Sequence, residues 1–310
     1  MLVEAELARF STQKDMLLTV GVFDGVHLGH RYLILKLLQL ARQKNFISGV
    51  VTFLQHPEEL LSPRARLPLL TSVEERINLL KNEGVDVIIP LSFTTELAKL
   101  GARQFIGLLL KHLRMRGLVI GSDFALGKGR EGDTDALQKL GQDMKFSVTV
   151  VPPLVINSEV VSSTAIRQAL AGGDMRKVRE FTGRPFSLQG EVVTGAGRGT
   201  GLGFPTANLK IGPEYALPPD GVYAGWAHIN GKAYQSMANI GKNPTFGDLE
   251  RTVEAYLINY RGNLYGREMK LDIVARLRNE KKFDTVEDLK KQVAEDVKQG
   301  EIILSSMSEE

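Results

Sequence analysis

The sequence predicts two architectures in series: an α/β doubly wound parallel sheet over residues 1–183, then a small antiparallel β-barrel with a terminal helix over residues 184–310. Three observations carry this prediction. Short apolar runs alternate with helix-period segments as far as Phe181. Beyond Gly183-Arg184-Pro185, six strand-like runs follow one another with only turns between them. One amphipathic helix then closes the chain. A length of 310 residues is comfortable for two cores.

Taken in order, residues 17–23 form an apolar strand that stops at Asp24-Gly25. Behind it Leu33, Ile34, Leu37, Leu38 and Ala41 recur at helical spacing. Residues 47–53 are the next strand. Ser72, with Glu75 three residues on, is a capping box for a helix to Glu83. Strands at 85–89, 117–120 and 147–151 alternate with helices at 102–112 and 133–145, and Pro152-Pro153 stops the last strand. Ser162-Ser163 cap a helix at 164–171, and a short helix at 175–181 follows Asp174. Such alternation makes a parallel sheet covered on both faces, with ligands at the carboxyl ends of its strands.

In the second half, residues 186–194, 207–211, 221–229, 233–240, 252–260 and 269–277 are β-branched and aromatic, separated by turns such as Asn230-Gly231. A helix at 285–298 is expected to be capped by Asp284 with Glu287, leaving a frayed tail at 305–310.

Composition narrows the function classes. Lys plus Arg is 39 against 36 for Asp plus Glu, and the net charge of +3 is too small to argue for nucleic acid or an anionic membrane. The chain has no cysteine, which excludes disulfides and thiolate metal sites. No apolar run approaches the ~18 residues of a membrane span, and the N-terminus lacks the plan of a signal peptide. The expectation is a cytoplasmic protein with no obligate protein partner.

Four stretches could carry chemistry. Two of the five histidines fall in His27-Leu28-Gly29-His30, at a strand-to-helix turn. Unpaired N–H groups and the helix dipole make such a turn an anion site. Neutral or protonated imidazoles can donate to phosphate, with Gly29 leaving room for it, and Phe23, Asp24 and Gly25 lead into the turn. Ser162, Ser163 and Thr164 open a helix with Arg167 one turn inside, a second phosphate cradle. The loop Gly121 to Asp133 follows a strand, with Phe124 suited to lie against a flat ring. The fourth stretch runs from Gly195 to Asn208. Its glycines Gly195, Gly197, Gly199, Gly201 and Gly203, ahead of Pro205, can wrap phosphates without forming a Walker A loop. Thr206 and Asn208 alternate on a strand start and suit Mg²⁺ shared with a phosphate. Glu254, in an apolar strand, faces either solvent or the barrel mouth; in the mouth it would be a general base or metal partner.

Together these stretches resemble the bacterial bifunctional riboflavin kinase/FMN adenylyltransferase family. The resemblance rests on GVFDGVHLGH, GSDFALGKGREGD and VSSTAIR in the first half. In the second it rests on GFPTAN, NIGKNPTF, TVEAYL and LRNEKKF. It implies a nucleotidyltransferase, Rossmann-like sheet and a riboflavin kinase-like barrel. The barrel would phosphorylate riboflavin with ATP, with Glu254 as general base and Thr206 and Asn208 on Mg²⁺. The sheet would join FMN to AMP from ATP and release pyrophosphate. There His27 and His30 would hold ATP phosphates, Ser163, Thr164 and Arg167 would grip pyrophosphate, and Asp123 and Phe124 would meet the flavin. Val22, Gln55, Asp123 and Tyr256 depart from the family's usual Asn, Pro, Asn and His; none of these departures removes a catalytic group. Two alternatives remain at this point: an adenylyltransferase for another phosphorylated vitamin with a non-catalytic flavin-binding barrel, and a non-catalytic flavin- or RNA-binding protein.

Overall fold

Strand β1 (Met16–Val20) is buried along its whole length, because it runs down the middle of a sheet covered on both sides. Met16, Leu18 and Val20 pack with Leu7, Ile106, Leu109 and Leu137 on one face. Leu17 packs with Ile34, Leu37 and Leu80 on the other. This is the two-residue period of a strand, with apolar side chains at four of its five positions because helices lie on both sides; the exception, Thr19, is fully buried. The computed structural model describes residues 1–61, 67–195, 203–242 and 251–307.

After β1 come β2 (Ile47–Phe53), β3 (Val87–Leu91), β4 (Met115–Gly121) and β5 (Ser147–Val151). They lie in the order β3-β2-β1-β4-β5, and every pairing is parallel. The strand order reverses between β1 and β4, and ligands of such sheets collect at the carboxyl ends of the strands at this point. The helix Leu28–Lys44 returns the chain from β1 to β2. The helix Val73–Asn82 is capped as its sequence predicts, with Ser72 Oγ accepting the Glu75 N–H at 3.0 Å. The helix Leu2–Ala8 is absent from the sequence reading; it is too short for a period to show, and Val3 and Leu7 bury it. A small hairpin, β6 (Val155–Ile156) with β7 (Glu159–Val160), precedes the helix Ser163–Gly172.

The second unit is a closed antiparallel barrel. Its strands are β8 (Phe186–Val193), β9 (Thr206–Leu209), β10 (Gly221–Ile229), β11 (Lys232–Lys242), β12 (Arg251–Leu257) and β13 (Glu268–Arg278), in the order β10-β11-β12-β9-β8-β13. Closure leaves no free sheet edge. Ala207, Leu209, Ile240, Val253, Ala255 and Leu257 are buried and alternate with half-exposed residues along their strands. The helix Val286–Met307 lies on the outside, where Leu304 is fully buried and packs with Trp226, Tyr256 and Leu277. Its first turn is capped by Thr285, whose Oγ1 accepts the Asp288 N–H at 3.1 Å, rather than by Asp284. The helix also continues through residues 305–307 of the expected tail; the remaining three residues lie outside the described ones.

By packing, the chain divides into Met1–Ser163 and Thr164–Glu310, earlier than the 183/184 border read from the sequence. The helix Met175–Thr182 packs on β13 and β8 with Val178 and Phe181 buried, so it joins the barrel's core. Among the described residues no helix is long and apolar enough to cross a membrane.

Arg278 ties the terminal helix to the barrel. Its Nε and Nη2 donate to Asp296 at 2.7–3.0 Å, and Asp296 is 3% exposed. Asp296→Ala leaves the half-buried Arg278 guanidinium without its counter-charge and is expected to cost about 2 kcal/mol. Urea unfolding checks this; a loss under 1 kcal/mol contradicts it.

Candidate active sites

The first site is built from the turn between β1 and the helix Leu28–Lys44. Phe23 (φ 55°), Gly25 (φ 80°) and Val26 (φ 34°) lie in the left-handed region. For Phe23 and Val26 this is strain of about 1–3 kcal/mol each. The turn is held by groups distant in sequence. The Asp24 carboxylate, 2% exposed, accepts from the Leu70 N–H at 3.0 Å, the Thr71 N–H at 3.1 Å and the Thr71 hydroxyl at 3.1 Å. Thr71 Oγ1 in turn accepts from the Gly25 N–H at 3.0 Å. The Val22 carbonyl accepts from Thr52 Oγ1 and from Arg76 Nη1, both at 3.0 Å. Arg76 is itself buried and donates from Nη2 to the Phe53 carbonyl at 2.5 Å. The Asp24 carbonyl accepts from Ser163 Oγ at 2.9 Å.

On this support His27 is the N-cap of its helix, with Nδ1 accepting the His30 N–H at 3.2 Å. A nitrogen that accepts carries no proton, so in neutral His27 the proton sits on Nε2. The rings of His27 and His30 stack, 3.6 Å between centroids and 20° between planes, and Phe23 meets His30 edge-on at 5.1 Å. His30 Nδ1 is buried and has no hydrogen-bond partner among the described residues. Burial, helped by the neighbouring His27 and Arg76, holds the His30 pKa well below the ordinary 6.5. His30 is therefore neutral at neutral pH.

Gly29 serves a different purpose from the expected one. A Cβ there would lie 2.9 Å from the Val161 carbonyl and 3.1 Å from the His27 ring. The open side of Gly29 thus faces protein, and its missing side chain lets the helix start, the imidazole and residue 161 close together. Ser162 and Ser163 precede and open the helix Ser163–Gly172, and Thr164 and Arg167 follow on it. The Ser163 side chain is hydrogen-bonded to the turn.

The Gly121 to Asp133 loop leaves β4, the neighbour of β1. It is tightly built: Leu126 and Gly132 form a β-bridge, and Glu131 Oε1 accepts the Ala102 N–H at 2.7 Å. Gly127 has φ 81°, and a Cβ there would lie 2.6 Å from the Ala102 nitrogen. Asp123 is exposed, whereas Phe124 is half-buried against the same core cluster as Val22.

The second site lies on the barrel. Glu254 alternates with buried Val253 and Ala255, so it sits on the outer face and the interior is filled by apolar side chains. The barrel-mouth expectation is therefore corrected to the outer wall. Glu254 pairs directly with Asn208 on one side and Asn239 on the other. Thr206 Oγ1 donates to Glu254 Oε2 at 3.3 Å. Gly195 makes space for Asn208, whose amide would lie within bonding distance of any Cβ there. Phe204, next to Gly203 and Pro205, packs edge-on against Tyr256 at 5.3 Å. Gly197, Gly199 and Gly201 lie outside the described residues, as does the Asn243 to Phe246 part of NIGKNPTF.

Thr52, Leu70, Thr71, Arg76, Asn239 and Glu280 escaped the sequence reading as site residues. Arg76 carried one signal: it stands one turn before Leu80 on the buried stripe of its helix, where an arginine needs internal partners. Among the described residues no group of three His, Cys or acidic side chains could hold a metal ion.

Comparison with known proteins agrees with both halves. The family described as FAD synthetase matches residues 9–165, and riboflavin kinase matches residues 182–304. The bifunctional riboflavin kinase/FMN adenylyltransferase of Escherichia coli (strain K12) is 37% identical over 288 residues, covering 92% of this chain and 91% of that protein. That of Bacillus subtilis (strain 168) is 34% identical over 289 residues, with the same coverage. A Streptococcus pneumoniae crystal structure, solved under the name macrolide-efflux protein, superposes with a TM-score of 0.87. It is 30% identical, over 96% of each chain.

The burial of His30 predicts a pH effect. Above about 6.5 the folded and unfolded states both hold it neutral, and it adds no pH dependence. As pH falls from there, the unfolded chain takes up a proton that the folded site refuses, so stability declines until the lower folded pKa is passed. Urea unfolding of wild type and His30→Gln across that range should show the steeper decline in wild type. Parallel curves would contradict it.

Proposed function

Because this chain belongs to the bifunctional riboflavin kinase/FMN adenylyltransferase family, and so carries both activities, we propose that the two reactions are divided between its halves and assign groups to each. The observation that carries the division is that the histidine pair and Glu254 lie in different compact units. Each also falls within its own family match. The functional border is taken at 183/184, close to where the riboflavin kinase match begins.

In the first half, an oxygen of the FMN phosphate attacks the α-phosphorus of ATP and pyrophosphate leaves. The nucleophile is already ionised and needs no base. His27, with its proton on Nε2, and neutral His30 bind the ATP phosphates and stabilise the charge that builds on the phosphoryl oxygens. Phe23, Asp24, Gly25 and Gly29 shape the turn, with Asp24 acting through the loop it anchors. Ser162, Ser163, Thr164 and Arg167 serve the departing pyrophosphate. Phe124 and Asp123 are assigned to the flavin. Their place after β4, beside β1, supports this, since ligands collect where strand order reverses.

In the barrel, Glu254 takes the proton of the terminal ribityl hydroxyl as its oxygen attacks the γ-phosphorus of ATP, and ADP leaves. Gly195, Gly197, Gly199, Gly203 and Pro205 are assigned to the nucleotide. Thr206 and Asn208 offer hard oxygens on one face, beside a carboxylate and without nitrogen or sulfur ligands, a donor set that fits Mg²⁺. Bound there, the ion would neutralise charge on the transferring phosphate. Riboflavin, FMN and ATP are the small-molecule partners, and the supply of ATP places both reactions in the cytoplasm.

Chromatography of flavins after incubation with ATP and Mg²⁺ tests the division. Glu254→Ala is expected to stop FMN formation by at least a hundredfold while added FMN still becomes FAD. His30→Ala is expected to do the reverse. Loss of the same single activity in both variants would overturn the assignment. A chain ending at Gly183 should retain FMN adenylylation; a fragment that unfolds without cooperativity would move the border.

A further inference from the structure

The outer wall of the barrel holds a second carboxylate that the two reactions leave unassigned. Glu280 follows β13, and its Oε1 accepts from Asn239 Nδ2 at 3.2 Å. Asn239 is the direct cross-strand neighbour of Glu254. Two residues further along β11, Gly241 lies under the same carboxylate: a Cβ at Gly241 would overlap Glu280 Oε1. Gly241 stands opposite Thr252, two residues from Glu254 on the same face. The order across the wall is therefore Asn208, Glu254, Asn239 and then Glu280.

A carboxylate can only accept, so its bond to Asn239 engages the amide nitrogen and turns the amide oxygen away. Among the described residues, no hydrogen bond reaches that oxygen or the Asn208 amide. Among these residues Glu254 receives one bond, from Thr206. The wall beside the general base thus presents acceptors, Glu254 and Asn239 Oδ1, in adjacent register positions. Adjacent acceptors match a chain of adjacent hydroxyls, each of which can donate.

We infer that Asn239, oriented by Glu280, accepts a hydrogen bond from a ribityl hydroxyl next to the one that Glu254 deprotonates. Glu280 is a positioning residue and touches no reacting atom. Gly241 belongs to the same device, because any side chain there displaces the Glu280 carboxylate. The inference rests on the reading of Glu254 as the base of the kinase reaction. The ligand class is a linear polyol, and the bond fixes which hydroxyl reaches the base.

Steady-state riboflavin phosphorylation tests this, with the urea unfolding midpoint of each variant reporting an intact barrel. Asn239→Ala and Glu280→Ala should each lower kcat/KM for riboflavin about fivefold to tenfold, the size of one lost hydrogen bond. KM for ATP should stay within twofold. Glu280→Gln keeps an acceptor and should restore most of the loss. The double variant should be no worse than Asn239→Ala alone. Additive losses, a Glu280→Gln as impaired as Glu280→Ala, or an Asn239→Ala with unchanged riboflavin kinetics would each overturn the inference. Glu254→Gln separates the two readings. If it phosphorylates riboflavin normally, the assignment of the base fails. If it is inactive while Asn239→Ala is normal, only the hydroxyl contact fails.

Discussion

A buried carboxylate keeps the first site in shape. Asp24 lies at the end of the central strand, and burying its charge would be costly without donors. Leu70 and Thr71 supply three, at 3.0–3.1 Å. Hydrogen bonds to a charged group contribute about 1.5–3 kcal/mol each. That is enough to offset the strain of placing Phe23 and Val26 in the left-handed region, about 1–3 kcal/mol each. The strained turn gives the first helix its entry, with His27 rather than a serine or aspartate at the N-cap. Using an imidazole as the cap fixes its tautomer, and the missing side chain at Gly29 lets its ring close against the helix start.

The barrel solves the same problem by register. Alternation on β12 sends Val253, Ala255 and Leu257 inward and Glu254 and Tyr256 outward. The pairings then bring Asn208 and Asn239 beside Glu254 with no strained backbone among these residues. A one-residue slip of β9 or β12 would turn these polar groups into the apolar interior. The packing of Ala207, Leu209, Val253 and Ala255 therefore protects the outer wall's chemistry as well as the fold.

Much of this was legible in the sequence, because both periods are local properties. β2, β5 and β10 fall on the residues predicted, since each is an unbroken apolar or alternating run between turn residues. The histidine turn, Thr206, Asn208 and Glu254 were legible because they are out of place: paired imidazoles at a helix start, and a carboxylate in an apolar strand. What stayed hidden depends on contacts between distant segments. Asp24 reads as a ligand until its partners 46 and 47 residues away are known. Gly29 reads as space for phosphate until Val161 fills it. Glu280 reads as one more charge in a charged stretch until β11 places Asn239 beneath it. The 183/184 border is a change of pattern in the sequence, whereas packing follows Val178 and Phe181 onto the barrel.

On the proposed division of labour the two sites use opposite electrostatic strategies, each suited to the reaction assigned to it. The Nδ1 of His30 is enclosed and the imidazole is kept neutral, with the buried cation of Arg76 close by. A neutral donor can bind phosphate without carrying a counter-charge into a low-dielectric site, where each uncompensated ion is expensive. That is workable for adenylylation, because the attacking phosphate arrives ionised and no proton has to leave it. In the proposed kinase reaction riboflavin's hydroxyl must lose a proton, so its site needs a carboxylate with a lone pair left to accept it. Glu254, half-exposed on the barrel wall, meets that need, since among the described residues it holds one bond, from Thr206. Burying that carboxylate as deeply as Asp24 would require donors on every lone pair, and a carboxylate so engaged has none left to accept the substrate's proton.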